Sequence, residues 1–100
     1  MARTIGIFAK TYWRAYSYLD ELRKNMSDIK NVTRNRTLYT VELEDGTTYK
    51  VLPPNEQSRG SRLTGAHVQY GIKEKFLYGV IFPCLHQDED LPEPTVIYFD

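Results

Sequence analysis

One hundred residues with 41% hydrophobic side chains and thirteen aromatics suffice for one packed domain, too few for a second independent core and too apolar for a chain disordered throughout. The formal net charge is zero, yet residues 1–75 hold all thirteen Lys and Arg against eight acids, and residues 76–100 hold five acids and no base; a basic body with an acidic tail suits a nucleic acid or a basic partner, or is simply a solvated face. Cys84 is the single cysteine, no apolar run approaches the roughly 20 residues of a membrane span, and no signal-peptide pattern opens the chain, so the expectation is a cytoplasmic protein, in the host cytoplasm if viral, with no internal disulfide and no membrane contact.

In chain order, "RTIGI" reads as a short strand or as the lead-in to a helix. Phe8, Tyr12, Ala15, Tyr16, Leu19, Leu22, Met26 and Ile29 then recur at spacings of three and four, which predicts one long amphipathic helix over residues 8–29, with Lys10, Arg14, Ser17, Glu21 and Lys24 on its polar side. The polar stretch from Asn31 to Asn35 predicts a break. "TLYTVEL", "EDG" and "TTYKVL" predict a hairpin over residues 37–52. A two-residue loop would set Val41 against Lys50 and mix apolar with polar on both faces. A loop of Glu44, Asp45 and Gly46, with Gly46 left-handed, sets Val41 against Tyr49 and Thr40 against Lys50 and separates them, so the second register is expected.

Pro53 and Pro54 stop the hairpin, because proline donates no ladder hydrogen bond. A polar loop over 55–65 precedes "AHVQYGI", a strand candidate, and "FLYGVIF" is a strand or a buried helical turn. "PCLHQDEDLPEP" is a loop by its prolines and acids, and "TVIYF" is a last strand. The sum is an α+β single domain, residues 1–100, with the long N-terminal helix packed on a small antiparallel or mixed sheet.

No phosphate-binding glycine loop occurs, so ATP hydrolysis by this chain alone is not expected. Cys84, His86, Asp88, Glu89, Asp90 and the distant His67 lack the paired spacing of a structural zinc site, and Cys84 with either histidine lacks the third group of a catalytic triad. The expectation is therefore no catalytic residue, no metal and no cofactor. The basic residues carry more. Arg59 and Arg62 flank Gly60 in a polar loop, Arg34 and Arg36 precede the hairpin, and Trp13 sits beside Arg14 on the helix. The planar guanidinium fork suits phosphate and carboxylate alike, and exposed rings beside arginine stack bases. The bland alternative is that the rings are core and the arginines solvated. The acidic end, Asp88, Glu89, Asp90, Glu93 and Asp100, could imitate a nucleic-acid backbone only weakly.

The succession "VELEDGTTYKVLPPNEQSRGSRLTGAHVQYG" resembles the middle of the ATPase core of phage terminase-like proteins, over about residues 5–72. Gly46 matches that family's turn glycine, Arg59, Gly60 and Arg62 match its R-G-x-R loop, and the helix matches the one before its hairpin. The phosphate loop is missing, and Gln69, Tyr70 and Gly71 stand where the resemblance puts Mg²⁺-binding and catalytic acids, so neither nucleotide binding nor hydrolysis carries over. What the resemblance implies is a cut-down, phage-type relative kept for binding.

The expectation is thus a non-enzymatic inhibitor of a nucleic-acid-processing machine, of the kind phages direct against host defence, such as anti-CRISPR proteins, or against replication. Its partner would be a protein of that machine, and a homo-oligomer is left open. The alternative is a direct nucleic-acid binder. The surface expected for either is Arg59, Arg62, Arg34, Arg36, Arg14 and Trp13.

Overall fold

The computed structural model describes residues 3–52, 63–81, 83, 85 and 95–100. The segment that the sequence leaves ambiguous, Thr4–Phe8, is a strand, β1, at the middle of the molecule. Chain order continues with α1 (Tyr12–Arg23), β2 (Ile29–Arg34), β3 (Tyr39–Leu43), β4 (Thr48–Val51), β5 (Gly65–Gln69), the single helical turn α2 (Glu74–Phe76), π-helical turns at Leu77–Ile81, and β6 (Thr95–Phe99). The strands form one six-stranded mixed sheet in the order β2-β3-β4-β1-β5-β6, an α+β arrangement. β1 lies parallel to β4 and β5, and β5 parallel to β6, while β2, β3 and β4 are antiparallel.

Alternation along β1 sends Ile7 to one side and Phe8 to the other, so each face gathers its own core. Ile7, Ala9, Tyr39, Val41, Leu43 and Val51 pack under Ala15 and Leu19 of α1. Phe8, Leu52, Leu63, Ala66, Val68 and Ile81 pack on the opposite side, with Ile72 and Leu77 of the α2 region against them.

The hairpin takes the expected register. Thr40 pairs with Lys50, Val41 with Tyr49 and Glu42 with Thr48. Leu43 N–H donates to the Thr47 carbonyl at 2.8 Å, closing a loop of Glu44, Asp45 and Gly46. Gly46 has φ of 91°, the left-handed conformation open to glycine at no steric cost. The Asp45 carboxylate accepts from Thr47 N at 2.9 Å and pins the turn.

The long helix is a correction. α1 has twelve residues and begins at Tyr12 because Thr11 caps it, accepting from Arg14 N at 3.1 Å. It ends at Arg23, ahead of Asn25, Ser27 and Asp28, residues whose side chains compete for backbone hydrogen bonds. Met26 and Ile29 continue the helical spacing by coincidence and pack against the α1 core from outside the helix. The break expected from Asn31 to Asn35 is corrected too: Ile29–Arg34 form an edge strand with a register shift between Ile29 and Asn31. An edge strand needs few inward apolar residues and tolerates Lys30, Asn31 and Arg34, which is why its pattern is faint. Of "FLYGVIF", residues 76–81 take the helical alternative, and Tyr12, expected in the core, is exposed.

Candidate functional site

Between the polar side of α1 and the β2–β3 turn lies a groove of about 500 Å³ lined by Tyr12, Trp13, Tyr16, Ser17, Asp20, Glu21, Lys24, Arg34 and Arg36. Its turn wall is organised by one side chain. Asn35 Oδ1 accepts from Thr37 N at 3.0 Å and from Leu38 N at 2.9 Å, and the Asn35 backbone N–H donates to the Leu38 carbonyl at 2.8 Å. Tyr16 Oη reaches across from α1 and donates to the Asn35 carbonyl at 2.8 Å, locking the turn that carries Arg36 to the helix.

The floor is a polar network. Asp20 accepts from Tyr39 Oη at 2.5 Å and from Arg34 Nη2 at 3.2 Å, and Arg23 Nη1 donates to Tyr39 Oη at 3.0 Å. Burial works against the charged Asp20 carboxylate, but the hydrogen bonds from Tyr39 and Arg34, with the charges of Arg34 and Arg23, outweigh it and hold its pKa below the usual carboxylate range. The Arg34 guanidinium also lies 5.3 Å from the Tyr16 ring centre and 5.2 Å from that of Tyr39, a cation–π arrangement on two rings. Arg34 is thus held by the fold, while Arg36 makes no ion pair among the described residues. Trp13 is 77% and Tyr12 52% exposed on the rim.

The structure therefore brings Trp13, Arg34 and Arg36 together and sends Arg14 elsewhere. Arg14 Nε and Nη2 both donate to the Asp100 carbonyl, the former at 2.9 Å, and the guanidinium lies 5.2 Å from the Phe99 ring centre, so this arginine ties α1 to the end of β6. Arg59 and Arg62 lie outside the described residues, as do Cys84, His86 and the acids at 88–90. Asp20 and Tyr12 were missed by sequence reasoning. A signal for Asp20 existed in its spacing of three from Arg23 on one helix.

At the carboxyl ends of the parallel strands, where the resemblance expects acids, Gln69 Oε1 accepts from Lys10 N at 2.8 Å and ties β5 to the end of β1. Gly71 turns the chain with φ of 89°, and Tyr70 stacks on Tyr98 with ring centres 5.4 Å apart. Among the described residues no helix is long and apolar enough to cross a membrane.

No protein-family model matches the chain, and no curated protein matches it. Two solved structures of the large terminase from a thermophilic bacteriophage share its fold, one with a TM-score of 0.65 at 13% identity and one, in complex with ADP, with 0.62 at 14%. Each superposition covers 97% of this chain but only 26% and 25% of the terminase chains. The resemblance read from residues 5–72 is therefore a partial likeness to a phage large terminase, one of fold, and it extends over nearly all of this chain.

Proposed function

We propose that this chain is a non-enzymatic binding module that docks on a protein of a nucleic-acid-processing machine through the α1 groove and inhibits it. The observation that carries the reading is the exposed Trp13 and Tyr12 beside Arg34 and Arg36, with Arg34 and Tyr16 already fixed by hydrogen bonds. Tryptophan, tyrosine and arginine dominate protein-interface hot spots, and pre-fixed side chains lose little entropy on binding. The mixed charge of the groove favours a protein partner. Asp20 and Glu21 face Lys24, Arg34 and Arg36, where a nucleic-acid surface would be a basic stripe.

Sharing the fold of about a quarter of a terminase chain supports a machine of that kind as the target. A piece with this shape can compete for a neighbour's surface without performing the chemistry. Components of host defence or of replication are the proposed class of target, in the manner of anti-CRISPR proteins. Direct nucleic-acid binding is the second reading, favoured by the exposed rings of Trp13, Tyr70 and Tyr98 as stacking surfaces.

The test compares proteins captured from host lysate by the parent and by the Trp13→Ala, Arg36→Ala double variant. The expected result is a nucleic-acid-processing protein held by the parent and released about tenfold more readily by the variant, as two lost hot-spot contacts imply. Capture that the variant leaves unchanged overturns the groove. Tight binding to purified single-stranded DNA that falls steeply with salt moves the assignment to the second reading.

A further inference from the structure

A smaller cavity opens on the α1 side of the sheet at the amino ends of the parallel strands, away from the groove. It measures about 90 Å³ and is lined by Arg3, Ile5, Thr64, Gly65, His67, Thr95 and Ile97. We propose that it binds a small oxyanion, a phosphate or carboxylate group, between the Arg3 guanidinium and the His67 imidazole.

His67 is only 9% exposed, and its Nδ1 lies 2.6 Å from Tyr18 Oη. With the ring proton on Nε2, the tautomer the proposed site uses, Nδ1 accepts from the Tyr18 hydroxyl. The Nε2 N–H has no partner among the described residues. It is not sealed from water, since Arg23 Nε is the buried side-chain atom left unpaired among the described residues, so an anion can take the place of water there. Arg3 makes no ion pair among the described residues, and its guanidinium, whose charge also acts on the Asp45 carboxylate, is the cationic group lining the cavity.

The size agrees with the chemistry. About three waters' share of liquid volume, roughly 30 Å³ each, admits one phosphate or carboxylate group and little more. The space exists because β5 begins with glycine: a Cβ on Gly65 would lie 3.2 Å from the Thr95 carbonyl oxygen and 3.6 Å from Ile5 Cγ1. Thr95 also lines the rim, whereas the Thr64 hydroxyl is already committed to Thr4, accepting from its N–H at 3.0 Å. Ile5 and Ile97 make the remaining wall apolar, with Ile97 exposed at the mouth.

Histidine side-chain nitrogen NMR tests this directly, because the chain has two histidines and His86→Gln assigns them. Inorganic phosphate and acetate are titrated separately at constant ionic strength made up with potassium chloride. The expected result is a saturable shift of His67 Nε2 with one anion or both at roughly millimolar concentration, and the two arms distinguish phosphate from carboxylate. Arg3→Gln, a surface change, should weaken the response about tenfold, the loss of one charged hydrogen bond, and Gly65→Ala should abolish it in a chain that remains folded by its amide spectrum. A His67 resonance that does not move with either anion, or that moves alike in the parent and in Arg3→Gln, overturns the proposal.

Discussion

Behind β1, the buried side chains described are all apolar, namely Phe8, Leu52, Leu63, Ala66, Val68 and Ile81, whereas the face under α1 mixes Ile7, Leu19 and Val41 with Tyr39, His67 and the Asp20 network. Burial of apolar area is non-directional, so the first face sets how firmly the sheet is held. Hydrogen bonds fix angles, so the second face decides where side chains point. Both the groove and the oxyanion cavity lie on the second face, and that is where directional contacts are concentrated.

The largest effect expected is on the apolar face. Phe8 is fully buried, and Phe8→Ala should cost about 3–5 kcal/mol in urea unfolding, the range for a lost core aromatic. Leu19→Ala on the α1 face should approach it at about 2–5 kcal/mol. If Phe8→Ala instead costs less than a surface change, the face behind β1 does not carry the stability assigned to it.

Gly46→Val comes next, at about 1–2 kcal/mol, because a β-branched residue is strained at its positive φ. The α1 face is the more exposed to this change. A one-residue slip of the hairpin would turn Tyr39 and Val41 away from α1 and remove Tyr39 from Asp20. Intact Tyr39 contacts in a variant of unchanged melting temperature would show that the loop does not set the register.

Legibility in the sequence follows the same division between local and distant causes. The hairpin was readable to its register, since an Asp-Gly turn and alternation are local signals. β5 and β6 were readable as short apolar runs. The order β4-β1-β5, with β1 parallel to both neighbours, was not, because pairings between segments 44 and 60 residues apart leave no periodicity in either. Likewise Trp13, Arg34 and Arg36 were legible as residue types, but their meeting depends on Tyr16 reaching Asn35 across the fold, and Tyr12 was misread because it keeps the apolar spacing yet, as the first residue of α1, stands exposed.

Smaller effects separate the directional contacts themselves. Tyr39→Phe removes a donor to Asp20 and an acceptor for Arg23 and should cost about 0.5–1.5 kcal/mol, the net value of one hydrogen bond, because water reaches both part-exposed partners, with the packed ring retained. The Asp20 carboxyl is held below its ordinary range, so its contribution is present above about pH 4 and fades as pH falls through the folded value. Asp20→Asn should therefore lower stability at neutral pH and flatten its decline in acid. Parallel acid-unfolding curves for parent and variant would remove Asp20 from the network's energetics.

The smallest stability effect should belong to the residue with the largest part in binding. Trp13 and Leu19 share one helix, six residues apart, yet Leu19 is inaccessible and Trp13 is 77% exposed. A ring left in water contributes little to folding, so Trp13→Ala should change stability by less than about 0.5 kcal/mol, as most surface substitutions do. The same change removes the widest apolar surface on the groove rim, and affinity for the captured partner should fall about tenfold, or roughly 1.4 kcal/mol. Thermal melting and partner binding measured on the same preparation separate the two. A variant that melts early and binds in proportion to its folded fraction would make Trp13 part of the core, and the division of α1 into a structural and a binding side would fail with it.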